Sequence, residues 1–484
     1  MRVLMSTEGT YPFFRGGVST WTHNLISNLE EFKFTILALV ANPYVNLAYK
    51  LPRNVEKVIM FPIWGVDVVG EYVHESYFKS VKPKPSRENI KNEFIPELRR
   101  LVSEVKSGGK NPKSLGESLY SIHHFLLRYD FKSTFRSEYV WKAFSDELSM
   151  DDPLYSRLKA SYLVRAGRIL QHILRVLTIE VPEVDLCHSS VASLCSIPAV
   201  ILKLKYGTPY LLTEHGVFFR ERLLDLVSGA KDIIDKYFWL NLCRSIVRLN
   251  YFYADRILPV CRFNIQWEEE FDVPPERVEV IYNGVDVNRF KPIPKLESDK
   301  PLIVVMARID KLKDLTNIIE AMSYVVDEVP DATCEIFGPI DDEDYYNVCL
   351  NFIEKLDLHE HVIFKGLTKT PEVEYNRAKV VAQPSISEGF PFSVVEAMSC
   401  GKTVVATDVG GVREALEGCG IIVPARSPKA LAEALIKVLK NEKLRMELGK
   451  KARMKVLKNF SYQRFLTEYR RVYVEAITTR KLEV

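Results

Sequence analysis

Short apolar runs rich in β-branched residues recur along the chain. Between them lie stretches whose apolar positions return every three or four residues. In the first part the runs are "RVLMS" (2–6), "KFTILALV" (33–40), "VEKVIMF" (55–61), "VDLCHSS" (184–190), "PYLLTEH" (209–215), "RILPV" (256–260) and "RVEVIYN" (277–283). Their length and continuity predict buried parallel strands. Between the first two, "GVSTWTHNLISNLEEF" (17–32) places Val18, Trp21, Leu25 and Leu29 on one helical face. Such alternation predicts an α/β fold with an open, doubly wound sheet.

Residues 71–175 break that rhythm. The segment is charged and aromatic with helical periods ("ESLYSIHHFLLRY", "LKASYLVRAGRILQHILRVL"). It reads as a helical insertion into the first α/β domain, with a separate small helical domain as the alternative. "FKPIPKLESDKP" (290–301) carries three prolines and reads as a linker. A second α/β rhythm follows it: "LIVVMAR" (302–308), "ATCEIFG" (332–338), "HVIFKG" (361–366), "KVVAQP" (379–384), "KTVVATD" (402–408) and "GIIVP" (420–424). The expected organisation is therefore two Rossmann-like, doubly wound domains facing across a cleft. The first covers 1–295, completed by the amphipathic C-terminal helix 462–484; the second covers 296–461.

Composition changes little in this picture. Of 484 residues, 47% are hydrophobic and 27% charged, as in ordinary globular proteins, and the net charge is +3. That balance gives no argument for a nucleic-acid partner. The eight cysteines show no C-x-x-C pair and no zinc spacing. They are expected to be reduced and mostly buried, in a reducing compartment. Glu8 ends the first apolar run, so no signal peptide is visible, and the apolar region 191–204 is too short and broken to span a bilayer. The expected location is cytoplasmic.

In an open parallel sheet, ligands bind beyond the carboxyl ends of the strands, and the candidate polar residues all follow strands. Gly16 and Gly17, at a strand-to-helix turn, can let an anion approach helix-start amides; a tight turn needing positive φ is the second reading. Arg308 and Lys313 share one loop and suit a diphosphate, or form a solvated surface pair. In "SISEGFPFSVVEAMSCG" (385–401), Pro391 suits the first helical turn and Gly401 the residue just past the helix end. Glu388 then lies on the loop and can face a reacting group. The amides of Phe392 and Ser393 are free for a phosphate, and Glu396 inside the helix can accept two hydroxyl hydrogen bonds, as a ribose diol offers. A capping glutamate plus a surface glutamate is the alternative. His215 ends a strand of the first half and can donate to a sugar hydroxyl or phosphate; a structural role is the commoner meaning of a lone histidine at a strand end. Asp342-x-Asp344 could hold a divalent metal but is read as a helix cap, and no metal is assigned.

Together these motifs resemble a retaining glycosyltransferase of the two-Rossmann-domain (GT-B) type, family 4. The resemblance is carried by E-x7-E (Glu388 to Glu396), R-x4-K (Arg308 to Lys313), Gly16-Gly17, "YNGVD" (282–286), "FGP" (337–339) and "ATDVGGVREAL" (406–416). It is most specific over 300–460. "STEGTYPFFRGGVSTW" and "LLTEHGVFFRER" are similar to the cytoplasmic glycosyltransferases of the Pel exopolysaccharide system. Many family members carry His-Asp where this chain has His215-Gly216.

The resemblance implies transfer of a hexose from a nucleotide sugar, such as UDP-glucose or UDP-N-acetylglucosamine, to a hydroxyl of a carbohydrate or lipid-linked acceptor, with retention. Gly16, Gly17, Arg308 and Lys313 would hold the diphosphate. Glu396 would bind ribose; Glu388 and the turn Gly389, Phe390, Pro391, Phe392 and Ser393 would hold the donor sugar and phosphate. His215 joins Glu388 as a candidate catalytic residue. No cofactor and no metal are expected, and a peripheral membrane or polysaccharide-synthase partner fits such a role. A glycosidase would need two carboxyls about 5 Å apart across the sugar bond, which a loop-then-helix pair beside an Arg/Lys loop fits less well. The same architecture would also serve a nucleotide-sugar epimerase or a non-catalytic nucleotide-sugar-binding subunit.

Overall fold

A computed structural model of the chain describes residues 1–64, 82–150, 160–228 and 233–483. The chain divides into two compact units, 1–259 with 266–279 and the residues from Arg470 on, and 260–265 with 280–469.

The first unit holds strands β1 (Arg2–Glu8), β2 (Lys33–Val40), β3 (Val55–Pro62), β4 (Leu186–Ser189), β5 (Tyr210–Glu214) and β6 (Arg256–Pro259). They pair in parallel in the order β3-β2-β1-β4-β5-β6. The continuous apolar runs of β1 and β2 are buried almost end to end, as strands covered on both faces must be. Between β3 and β4 run the helices Ile95–Lys106, Pro112–Arg128, Glu138–Ser149 and Ala160–Leu174. Their buried residues, Leu98, Phe125, Phe144 and Leu170 among them, belong to one apolar cluster with Leu4 and Leu37 of the sheet. The start of the expected insertion, 71–81, lies outside the described residues, as does 151–159 within it.

The helix Tyr462–Glu483 supplies the last elements of this unit. Tyr473 bonds through its hydroxyl to His188 Nδ1 at 2.6 Å and packs edge-on against Phe32. Arg470 pairs with Glu31 at 2.5 Å, Arg471 with Glu279, and Arg480 donates to the Val184 and Tyr206 carbonyls.

The second unit repeats the plan with β7 (Leu302–Met306), β8 (Thr333–Phe337), β9 (Val362–Gly366), β10 (Val380–Gln383), β11 (Thr403–Thr407) and β12 (Ile421–Val423), in the order β12-β11-β10-β7-β8-β9, all parallel. Among its helices are Leu315–Glu328, Glu343–Lys355, Phe392–Ser399, Pro428–Lys440 and Glu442–Asn459.

One expected strand is absent. The run 277–283 makes a single bridge, Val278 to Ile257, after a 3-10 turn at Pro275–Arg277. From Val280 the chain belongs to the second unit, where Tyr282 and Val285 join an apolar cluster with Phe390. Its apolar pattern therefore reflects burial of a connecting segment, which periodicity alone does not distinguish from a strand.

Candidate functional site

In a doubly wound sheet the strand order reverses at one point, and the two loops leaving the sheet there diverge around a crevice. In the second unit that point lies between β7 and β10. The loops that follow these strands carry Arg308 with Lys313, and Glu388.

After β7, Asp310 caps the amide of Leu312 at 2.9 Å and holds a tight 3-10 turn, Lys311–Lys313. Asp314 then adopts the left-handed region (φ 46°) and starts the helix Leu315–Glu328. After β10, the amide of Ile386 donates to the Leu312 carbonyl at 2.9 Å and ties the two loops together. As a result Lys313 Nζ lies 2.7 Å from Glu388 Oε1. The same oxygen accepts from Gln383 Nε2 at 2.7 Å and Ser385 Oγ at 2.6 Å. Ser393, in the first turn of the next helix, donates to Gln383 Oε1 at 2.8 Å and so orients that amide. The Glu388 side chain is only 7% exposed and that of Lys313 16%. A buried ion pair this well surrounded is a fixed charge arrangement rather than a mobile surface contact.

Arg308 is placed differently. Its side chain is 51% exposed and binds Asp341 at 2.6 Å and Asp310 at 3.4 Å. The structure thus brings Lys313 to Glu388 and leaves Arg308 paired with other carboxylates, whereas the sequence groups the two cations.

Pro391 is the N-cap of the helix Phe392–Ser399, one position before the first turn where the sequence places it. Its missing N–H is harmless in either place. The amide of Val395 makes the first intrahelical bond, to the Pro391 carbonyl, which leaves the Phe392 and Ser393 amides without helical partners. At the other end Gly401 (φ 72°) closes the helix, with its amide on the Met398 carbonyl and that of Lys402 on Ala397.

The turn itself is braced from below. Phe390 packs against Tyr282 and Phe460, each with ring centroids 5.1 Å away, and its carbonyl accepts from Asn283 Nδ2 at 3.1 Å. The Gly389 carbonyl accepts from the Gly411 amide at 2.7 Å. Gly410 sits at φ 56°, where a Cβ would overlap the Glu388 carbonyl oxygen. The loop after β11 is therefore a support for the glutamate loop.

Glu396 lies in the second turn of the helix and accepts from the Tyr375 hydroxyl at 3.0 Å. Burial pushes its carboxyl up from 4.5 to about 7, against the lowering effects of that hydroxyl and of Arg289. A carboxyl that holds its proton more tightly folded than unfolded loses stability on ionising. Compared with Glu396→Gln, the wild-type protein is thus expected to lose stability as pH rises from 4.5 to about 7 and to stay level above. Paired thermal melts across that window check the slope; parallel curves would contradict it. Only above about 7 is Glu396 mostly an ionised double acceptor.

In the first unit, Gly16 is extended (φ 160°) before the helix Gly17–Asn28, and a Cβ there would meet nothing within 4 Å. Neither a left-handed turn nor packing requires this glycine, and both Gly16 and Gly17 are exposed. His215 follows β5. Its ring packs edge-on against Trp21 with centroids 4.6 Å apart, and its buried Nε2 has no hydrogen-bond partner among the described residues. Burial lowers its pKa to about 3, so the imidazole is neutral at physiological pH and holds a single N–H to donate. At Gly216 a Cβ would overlap the Glu221 carboxylate. Asp342 accepts from the Tyr345 amide at 2.9 Å and caps the helix Glu343–Lys355, while Asp344 lies in its first turn.

Gln383 and Ser385, which hold Glu388, and Gly410, which lies against its loop, are given no role by sequence reasoning, although Gly410 falls within the quoted run 406–416. A signal for them exists: a polar pair, Gln383 and Ser385, around Pro384 where a buried strand ends, and a glycine pair after the next one. Gln383 is a positioning residue, since it touches Glu388 and Ser393. Gln383→Leu is expected to lower kcat about tenfold, roughly 1.4 kcal/mol, with KM nearly unchanged. Steady-state kinetics separate this from a binding role, which would raise KM instead.

A family model described as "Domain of unknown function (DUF3492)" matches residues 1–276, and one described as "Glycosyl transferases group 1" matches residues 286–455. An uncharacterized glycosyltransferase of Methanocaldococcus jannaschii is 27% identical over 369 residues, 75% of this chain and 93% of the relative. The N,N'-diacetylbacillosaminyl-diphospho-undecaprenol alpha-1,3-N-acetylgalactosaminyltransferase of Campylobacter jejuni is 28% identical over 271 residues, 51% of this chain and 70% of that enzyme. Among solved structures, Anabaena HepE in complex with UDP aligns with a TM-score of 0.62 at 16% identity, over 98% of this chain and 100% of that one. Sucrose-phosphate synthase from Thermosynechococcus elongatus also gives 0.62 at 16% identity, over 99% of each chain. At such identities the structural likeness concerns the fold, which is of the GT-B class. The chain belongs to the DUF3492 family, and with its group 1 glycosyl transferase half it is a glycosyltransferase.

Proposed function

We propose that the chain transfers a hexose from a UDP-sugar to a hydroxyl of a carbohydrate or lipid-linked acceptor, with retention at the anomeric carbon. The observation that carries this reading is the fixed Lys313–Glu388 pair at the strand reversal, beside the Phe392 and Ser393 amides, which have no partner among the described residues. The likeness to a UDP complex and to an undecaprenol-linked-glycan enzyme supports the choice of donor and acceptor classes.

In this reading the leaving diphosphate lies on the helix-start amides and Lys313, whose positive ends face developing negative charge. Arg308 turns from Asp341 to the diphosphate. Glu396 takes the ribose hydroxyls and Glu388 orients the donor sugar; in the first unit, Gly16 and Gly17 leave a helix start open to an anion. His215, as a neutral donor, steadies a sugar hydroxyl. The acceptor hydroxyl attacks the anomeric carbon from the face the diphosphate leaves, and the departing phosphate oxygen takes its proton. Cationic side chains and amides neutralise the leaving group, so the reaction needs no metal. The similarity of the N-terminal motifs to Pel-type glycosyltransferases favours a polysaccharide product and action at the cytoplasmic membrane face. Among the described residues no helix is long and apolar enough to cross a membrane.

The testing experiment is a UDP titration of Arg308→Ala. Affinity is expected to fall about tenfold or more, since a charge-assisted contact to phosphate is lost. Unchanged UDP affinity and turnover would remove Arg308 from the donor site, and failure of the wild-type protein to bind any UDP-sugar would end the proposal.

A further inference from the structure

A groove of about 620 Å³ lies in the second unit, bounded by the start of the helix Leu315–Glu328, the face of Glu343–Lys355 and the turn before Pro428–Lys440. Its polar lining includes Asp314, Asn317, Glu320, Asn351, Lys355 and Arg426. The volume is within the range of about 300–1,000 Å³ typical of small-molecule sites.

The floor of this groove is unsatisfied. Asn317 is only 4% exposed, yet neither its amide nitrogen nor its amide oxygen has a hydrogen-bond partner among the described residues. Asp314 Oδ2 is also buried without a partner, while Oδ1 accepts from Thr316 Oγ1 at 3.1 Å. Buried polar groups are nearly always paired, because an unpaired one keeps its full desolvation cost. Three such atoms on one helical turn call for a ligand that both donates and accepts at neighbouring positions. Hydroxyl groups do this. Asp314 and Glu320 oppose Lys355 and Arg426, so the lining is balanced in charge, and an anion or a cation would each face two groups of its own sign. Phe352 and the half-exposed Val348 complete the wall with apolar surface. Adjacent hydroxyls beside C–H faces, with no net charge, describe a sugar ring.

We propose that this groove is a second carbohydrate site, taking a neutral hexose unit and separate from the Glu388 pocket. The sugar hydroxyls pair with the Asn317 amide and the Asp314 carboxylate as the groove floor opens to them, and the ring rests on Phe352. Asp314 directly follows Lys313, so an occupant that holds Asp314 also holds the turn presenting Lys313 to Glu388. The inference stands independently of the donor assignment.

Saturation-transfer NMR on the full chain, with free glucose, galactose, mannose and N-acetylglucosamine as probes, tests it. At least one sugar is expected to give a signal that survives Glu388→Ala, is lost in Asn317→Leu and is weakened severalfold by Asn351→Ala, a substitution at an exposed position. Without sugar, Asn317→Leu is expected to raise Tm by a few degrees, because it replaces an unpaired amide with an apolar group of similar size. Four results would each overturn the site: no response to any of these sugars, a signal lost in Glu388→Ala but retained in Asn317→Leu, a lowered Tm for Asn317→Leu, or a crystal soaked in the responding sugar that shows only bridging water at Asn317.

Discussion

Glu388→Ala is expected to reduce turnover about 10²-fold or more while UDP affinity changes little. The carboxylate is the centre of a preorganised cluster: Oε1 alone takes three donors, from Lys313, Gln383 and Ser385, all within 2.7 Å. None of these bonds has to be formed during the reaction, so under the proposed role their directional effect on a donor sugar carries no reorganisation cost. Removing the carboxylate also releases Lys313 from its fixed position and leaves the Gln383 amide without its acceptor. The loss should therefore fall on kcat/KM through kcat, because Glu388 is assigned to the sugar and Glu396 to the ribose. Single-turnover kinetics alongside UDP calorimetry measure both. Equal losses in turnover and UDP affinity would show that the two glutamates do not divide the donor in this way.

Gly410→Ala should have the second large effect, although residue 410 is assigned no contact with substrate. At φ 56° a Cβ strains the backbone and would overlap the Glu388 carbonyl oxygen. That oxygen is on main chain, so relief requires moving the loop itself. We expect destabilisation of about 2–4 kcal/mol together with activity as low as in Glu388→Ala. Denaturant melts and activity measured under folding conditions give the two numbers separately. A variant with wild-type melting and turnover would show that the loop after β11 does not set the position of Glu388.

Each strand from β1 to β12 coincides with an apolar run legible in the sequence, and the inner strands show it most clearly, because burial on both faces leaves unbroken apolar stretches. The edge strands β3 and β9 stand out least, since Glu56 and Lys57 interrupt the first and only Val362 of the second is buried. The false strand, 277–283, arises from the same rule, since a buried connection has the same apolar pattern. At the site, Glu388, Glu396, Lys313 and Gly401 are visible because their chemistry depends on spacing along one loop or one helix. The Lys313–Glu388 bond is not, for it depends on β7 and β10 being neighbours although the two residues are 75 positions apart. The partner of Arg308 is hidden for the same reason, as Asp341 follows β8. The Asp342 cap is legible, being local. Gln383 escapes notice because one polar residue at a strand end has no periodicity to mark it.

The helix Tyr462–Glu483 imposes an order on biosynthesis. Tyr473 completes the surroundings of His188 and Phe32, residues made hundreds of codons earlier. A nascent chain has both apolar clusters of the second unit complete once Phe460 is made, whereas the first unit waits for Tyr473 of this helix to cover Phe32 and His188. The half synthesised first is thus the half that matures last, which is the opposite of the usual vectorial sequence.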